Sequence, residues 1–309
     1  MQLIMVFLGA ILGLAYGYYQ EGFIFSSNIC LFAGLTLIMP TLFNVKFSDV
    51  KLLLEYKMLL VKGFVLNYLL IPLLALGIGL LTHNFGVAAG LFVLSVFSGG
   101  GMVMHWIKKS GGDTSFGFLL LFINLLFISL SLLMLHLFGV YTSAYFEASY
   151  VNEVNISNFA RAAITLLVLV PFVASRVVVL IKPLQEGIQK VQKYISLISI
   201  FIILFYLFGL QNSQTLFEVY DFEPELIYIS VIAVLGFYLG IYLLTKLTFK
   251  LDSPQEKAAF WHSITRYITL ALVISTFSAN TFGIAMLLPI MFAYIVQIPF
   301  AIYVAKKVV

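Results

Sequence analysis

Arg266 stands inside an apolar stretch, His262-Ser-Ile-Thr-Arg-Tyr-Ile-Thr-Leu-Ala-Leu272. Ile264, Ile268, Leu270 and Leu272 flank it, and no acidic residue lies near it in sequence. A guanidinium at the centre of a membrane helix costs about 2.5–3.5 kcal/mol on insertion scales, so such a residue marks a functional site unless something local holds it. Its planar fork of donors suits a carboxylate. The competing reading is a structural bond to backbone carbonyls. Snorkelling does not fit, because Arg266 lies about eight residues inside its apolar span. Helical spacing puts Ser263 and Thr269 on the face of Arg266, and Thr265 and Tyr267 add polar atoms beside it.

A second candidate is Ser98-Gly99-Gly100-Gly101, again within an apolar span. Three successive glycines weaken a helix. Unwound backbone at membrane depth is tolerated where it is buried in protein or lines a cavity, and its freed amides and carbonyls can then bind a ligand. The alternative is close helix packing. His105 follows one turn later, beside Trp106 and before Lys108-Lys109, and reads as interfacial, as does His262 at the start of its span. Asn67 and Asn124 are amides in apolar spans, able to bind a ligand or to join helices. The sequence holds no Walker loop, His-Glu-x-x-His or nucleophile elbow, so an enzyme is not expected. All thirteen acidic residues fall in loops or at span ends, which leaves no buried carboxylate pair for a proton relay.

These residues need a membrane to position them. Of 309 residues, 62% are hydrophobic and 10% charged, against about 45–50% and about 25% in soluble domains. The net charge of +4 does not suggest nucleic acid as a partner, and the one cysteine, Cys30, permits no disulfide within the chain. Turn residues and charges divide the sequence into ten spans: 3–19, 25–43, 58–81, 86–107, 114–140, 163–181, 194–210, 226–244, 258–278 and 282–305. The first lacks a basic n-region and reads as a span, not a cleaved signal. Lysines crowd the even-numbered loops and the C-terminus, while the odd-numbered loops hold only Arg161. Both termini are therefore expected in the cytoplasm, with a bacterial inner membrane as the setting. The segment 46–57 is expected to lie in the interface as an amphipathic helix, and the Phe-rich stretch Phe116–Phe127 to face lipid. One polytopic domain, 1–309, is expected. Ten spans with both ends on one side divide into two inverted five-helix repeats, about 1–140 and 160–309. Span 4, with its glycines, then corresponds to span 9, with Arg266.

Three stretches carry a resemblance to a known family. They are "IMPTLFNVKFSDVKLLLEYK", "GFVLNYLLIP" and "SGGGMVMHWIKKSGGD". In order and spacing they resemble the bile-acid:sodium symporter and arsenite permease superfamily. The resemblance implies an all-α integral membrane fold of ten helices, with a panel domain, a core domain, and broken helices 4 and 9 that cross at mid-membrane. It also implies secondary transport of an organic anion, usually with sodium. The sodium-site positions implied by the family fall here on Val103, Met104, Gly117, Leu121, Ser263 and Tyr267, and only Asn67 keeps an amide in kind. The arsenite-site positions fall on Gly99 and approximately Ile268. The expected function is therefore secondary or facilitative transport of a small organic anion by alternating access, without the family's sodium sites. Arg266 would be the intramembrane cation and half-helix N-termini would add donors. The expected binding set is Arg266, Ser263, Thr265, Tyr267, Thr269, Ser98, Gly99, Gly100, Gly101, His105, Asn67 and Asn124. No cofactor is expected. If sodium binds, Asn67, Ser263 and Thr265 are its ligands, and a sodium-coupled symporter is the first alternative. Metalloid efflux is the second, and a membrane sensor without transport stands behind both.

Overall fold

The computed structural model describes residues 2–19, 43, 50–100, 102–150, 165, 169–213 and 224–308. The expected second span up to Leu42, Gly101, Cys30, Arg161 and most of the start of the expected sixth span lie outside the described residues.

All regular elements among the described residues are helical. They are α1 (Gln2–Tyr19), α2 (Val50–Glu55), α3 (Lys57–Val65), a π-turn (Leu66–Leu70), α4 (Ile71–Leu81), α5 (Phe85–Val96), α6 (Val103–Lys109), α7 (Thr114–Leu126), α8 (Ile128–Thr142), α9 (Val170–Leu180), α10 (Lys182–Ser213), α11 (Pro224–Thr248), α12 (Pro254–Ile264), α13 (Ile268–Phe282), a 3₁₀ turn (Ile284–Met286) and α14 (Leu287–Val308). Residues 57–81, 224–248 and 287–307 are each long and apolar enough to cross a bilayer, and α7 with α8 form a fourth such unit bent by 50°. The full ten-helix count and the repeat layout go beyond the described residues.

Helix starts follow the chain's capping chemistry. Asn84, Asp113 and Ser253 accept hydrogen bonds from the backbone N–H of Val87, Phe116 and Glu256, and Pro254 supplies the fixed φ of a first helical position. The π-turn has an equally local cause. Pro72 has no N–H to return to Tyr68, and its ring crowds that carbonyl, so the ladder slips by one residue and Ile71 N–H bonds to Leu66 O. The slip falls on Asn67.

Helix α5 is the centre of the molecule, buried on every residue from Gly86 to Val96. It packs against α4, α8, α13 and α14. Gly90 allows that closeness, since a Cβ there would sit 2.3 Å from Met286 O. Two sequence expectations change. Phe116 is buried against Tyr56, with ring centroids 5.6 Å apart, and does not face lipid. A phenyl ring satisfies a protein core as readily as an acyl chain, so composition cannot separate the two. The seventh span is the C-terminal part of one 32-residue helix, α10, that already begins at Lys182. Its first turns carry Lys182, Glu186, Lys190 and Lys193, so the expected loop is a polar helical extension.

Candidate functional site

Two helical spans are broken at the same place. The first stops at Val96 and restarts at Val103; the second stops at Ile264 and restarts at Ile268. The intervening segments meet in a single antiparallel bridge, Ser98 with Arg266. Tyr267 N–H donates to Phe97 O at 2.9 Å, and Gly99 N–H is shared between His262 O at 2.9 Å and Thr265 O at 2.8 Å. The backbone groups released by one break are thus satisfied by the other, as water-free surroundings require. Gly99 and Gly100 have φ of +81° and +129°, which only glycine adopts without strain. Space forbids a side chain too. A Cβ on Gly99 would lie 2.5 Å from Cε1 of His262, and one on Gly100 3.2 Å from Arg266 O.

The guanidinium of Arg266 closes this crossing. The residue is 1% exposed. Nη1 donates to Ser95 O at 3.0 Å, and Nη2 donates to Asn67 Oδ1 at 2.8 Å and to Ser263 O. Nε has no partner among the described residues. All three acceptors are neutral oxygens. Ser95 and Ser263 both sit in the last turn of a half-helix, α5 and α12. Each such terminus carries roughly −0.5 elementary charge, so the two together present about −1 to the guanidinium's +1. The charge therefore meets the ends of two converging dipoles. Two further backbone groups at the breaks are also taken up. Val96 O accepts from Ser131 Oγ at 3.1 Å, and Arg266 N–H donates to Gln297 Oε1 at 2.7 Å. Gln297 is held in turn by Tyr238 O–H at 2.8 Å.

Beside the crossing lies a cavity of about 600 Å³. Its walls are mostly aliphatic and aromatic side chains of α3, the π-turn and α7. Its polar groups are Asn67, Asn124, His262 and Ser263, with Tyr68 beside them. Asn67 Nδ2 donates to Gly63 O at 2.9 Å and to Ser263 Oγ at 3.0 Å. Asn124 Nδ2 donates to Ser98 Oγ and lies 3.0 Å from His262 Nδ1. Arg266 is not among the lining residues. It stands behind Asn67 and Ser263, so in this conformation it acts on the cavity through its field.

Of the expected binding set, Asn67, Asn124 and Ser263 line the cavity, and Ser98, Gly99, Gly100 and Arg266 form the crossing behind it. Thr265 Oγ1 donates to Trp261 O at 2.7 Å and finishes α12. Thr269 pairs with the Tyr294 hydroxyl at 2.9 Å, away from the guanidinium's partners. Tyr267 is buried, with its hydroxyl unpartnered among the described residues. His105 is exposed on α6, edge-on to Trp106, and does not reach the cluster. Sequence reading missed Gln297, Ser95 and the cavity-facing place of His262. Gln297 is a polar residue in an otherwise apolar stretch of the last span, and that was its available signal.

An all-helical membrane protein with two broken spans crossing beside a cavity is a transporter architecture. The family model of the "Sodium Bile acid symporter family" matches residues 30–217, more than half of the chain. The protein belongs to that family of multi-pass membrane transporters. The match includes the first broken span and ends before the second. No curated protein matches the chain.

Proposed function

We propose that this protein is a secondary or facilitative transporter of a small organic anion, and that Arg266 takes the place of a coupling cation at the crossing. The carrying observation is the coordination of its guanidinium by Asn67 Oδ1, Ser95 O and Ser263 O at the ends of two half-helices. Neutral oxygens at the C-terminal ends of two half-helices are the kind of donor set that holds sodium in broken-helix transporters. Here the charge is covalently tethered. An empty ion site would leave these acceptors unpaired, and an occupied one would couple transport to the ion's gradient. A tethered cation removes both conditions.

The substrate reading rests on the cavity. Its apolar walls suit a hydrophobic body, and its polar side chains include no carboxylate to repel an anion. The positive charge behind Asn67 and Ser263 favours an anionic head. Alternating access would come from movement of the crossing spans relative to the rest, with both termini in the cytoplasm.

The test is uptake of cholate, a bile-acid probe, into proteoliposomes of the purified protein. Saturable uptake above that of protein-free vesicles is expected, together with its loss in Arg266→Ala. Equal uptake by protein-free vesicles would reject the transport reading for this anion. Undiminished uptake in Arg266→Ala would make the guanidinium dispensable.

A further inference from the structure

The cavity ends in three aromatic rings that the crossing does not use. Phe64 and Tyr68 have centroids 5.0 Å apart, Phe64 and Phe127 5.6 Å, and Tyr68 and Phe127 5.7 Å. All three line the cavity. Their position along it follows from helix direction. Tyr56 touches Phe116 at the start of α3 and α7, while Phe64 and Tyr68 touch Phe127 at the far end. The two helices therefore run side by side in the same sense. The rings meet beyond Asn124, at the end of the space where Phe64 is 44% and Phe127 36% exposed.

Two of the rings, Phe127 and Tyr68, are mounted on irregularities. Phe127 is the single residue between α7 and α8, with φ −81° and ψ 10°, at the 50° bend. Tyr68 lies within the π-turn, and Phe64 one turn before it. The pieces on either side of Phe127 are tied to different parts of the crossing. Asn124, on α7, bonds to Ser98 and approaches His262 of α12, whereas Ser131, on α8, bonds to the end of α5. α7 also packs against α12 and α8 against α5, so a shift of one broken span against the other bears on the bend at Phe127. Bends and π-bulges are where helices yield.

We propose that Phe64, Tyr68 and Phe127 form a gate of the transport cavity, with Phe127 as the moving ring, opened by a change in the α7–α8 bend. The gate belongs to the cavity on which the transport reading rests, but its test needs neither the substrate nor the sodium question.

The test uses thiol accessibility. Cys30 is the one native cysteine, so Cys30→Ser with Ala259→Cys leaves a single thiol on the cavity wall. Proteoliposomes are treated from either face with a membrane-impermeant cationic methanethiosulfonate. Labelling of the Ala259→Cys protein from one face only is expected. Adding Phe127→Ala removes two of the three ring contacts and should raise labelling from the closed face roughly 5–150-fold, the factor that two aromatic pairs correspond to. Phe127→Trp should keep the closed face closed, which separates gating from misfolding. Labelling from both faces, or from neither, before Phe127 is changed would overturn the gate. So would unchanged one-sided labelling in Phe127→Ala. Failure of cholate uptake with this labelling pattern intact would reject the anion reading and leave the gate standing.

Discussion

Removing the Arg266 side chain should make the protein's stability depend on small cations. Arg266→Ala leaves Asn67 Oδ1, Ser95 O and Ser263 O without donors. Hydrogen bonds in membrane proteins average about 0.6 kcal/mol, and bonds to charged groups reach about 3 kcal/mol. Three bonds therefore bracket the loss at roughly 2–9 kcal/mol. For a chain of this length about 1.5 °C corresponds to 1 kcal/mol, which gives a fall in Tm of roughly 3–14 °C. The fluorescence of Trp106 and Trp261, stacked 5.5 Å apart beside the crossing, reports unfolding directly. The two are the only tryptophans in the chain. The emptied site should then accept a cation from solution. Millimolar guanidinium or sodium, at ionic strength balanced with choline, should restore part of the Tm of Arg266→Ala through ligand linkage. The same salts should leave the parent protein's Tm unchanged. A parent protein stabilised by sodium, or an Arg266→Ala protein with unaltered Tm, would refute the claim that the guanidinium fills a cation site.

Three other outcomes follow from the same contacts. Gly99→Ala forces a side chain to φ +81° and into His262, so it should cost about 2 kcal/mol or more in thermal or denaturant unfolding, while Gly111→Ala, at a similar φ with nothing near its Cβ, should cost less. Gln297→Leu strands the Arg266 N–H and the Tyr238 hydroxyl, a loss of about 2–6 kcal/mol. Adding Tyr238→Phe should recover part of that loss in a double-mutant cycle. Asn67→Asp places a negative charge against Arg266. If the substrate head is taken to sit about 8 Å from the new charge, an effective dielectric constant of about 20 makes the lost attraction about 2 kcal/mol. The concentration dependence of cholate uptake should then show roughly a 30-fold weaker apparent affinity.

Sequence and structure meet most closely at the break. Arg266 and the glycine run after Ser98 violate local rules for membrane helices, and Arg266, Gly99 and Gly100 lie at the crossing. The slip at Asn67 also has a local cause, the missing N–H of Pro72, but no expectation was attached to that proline. What was hidden depends on distance in space. Ser95 contributes through its carbonyl, which no residue type encodes. Gln297 reaches Arg266 from 31 residues away, and its role exists only once α14 is docked. His262 reads as interfacial by its place in the span, yet it is 2% exposed and packs on Gly99. Phe116 and Phe127 look alike in sequence, but one is core and the other ends a cavity. Lipid and protein interior offer a phenyl ring the same apolar surroundings, so hydropathy cannot tell these fates apart. The extent of α10 was obscured for the opposite reason, because its polar first turns resemble a loop to any hydropathy window.

The sodium dependence of transport is the most direct measure of whether a tethered guanidinium has taken over from an ion. Initial rates of cholate uptake into proteoliposomes should be the same with an inward sodium gradient and with sodium replaced by potassium on both sides. Uptake that requires the sodium gradient would contradict the account.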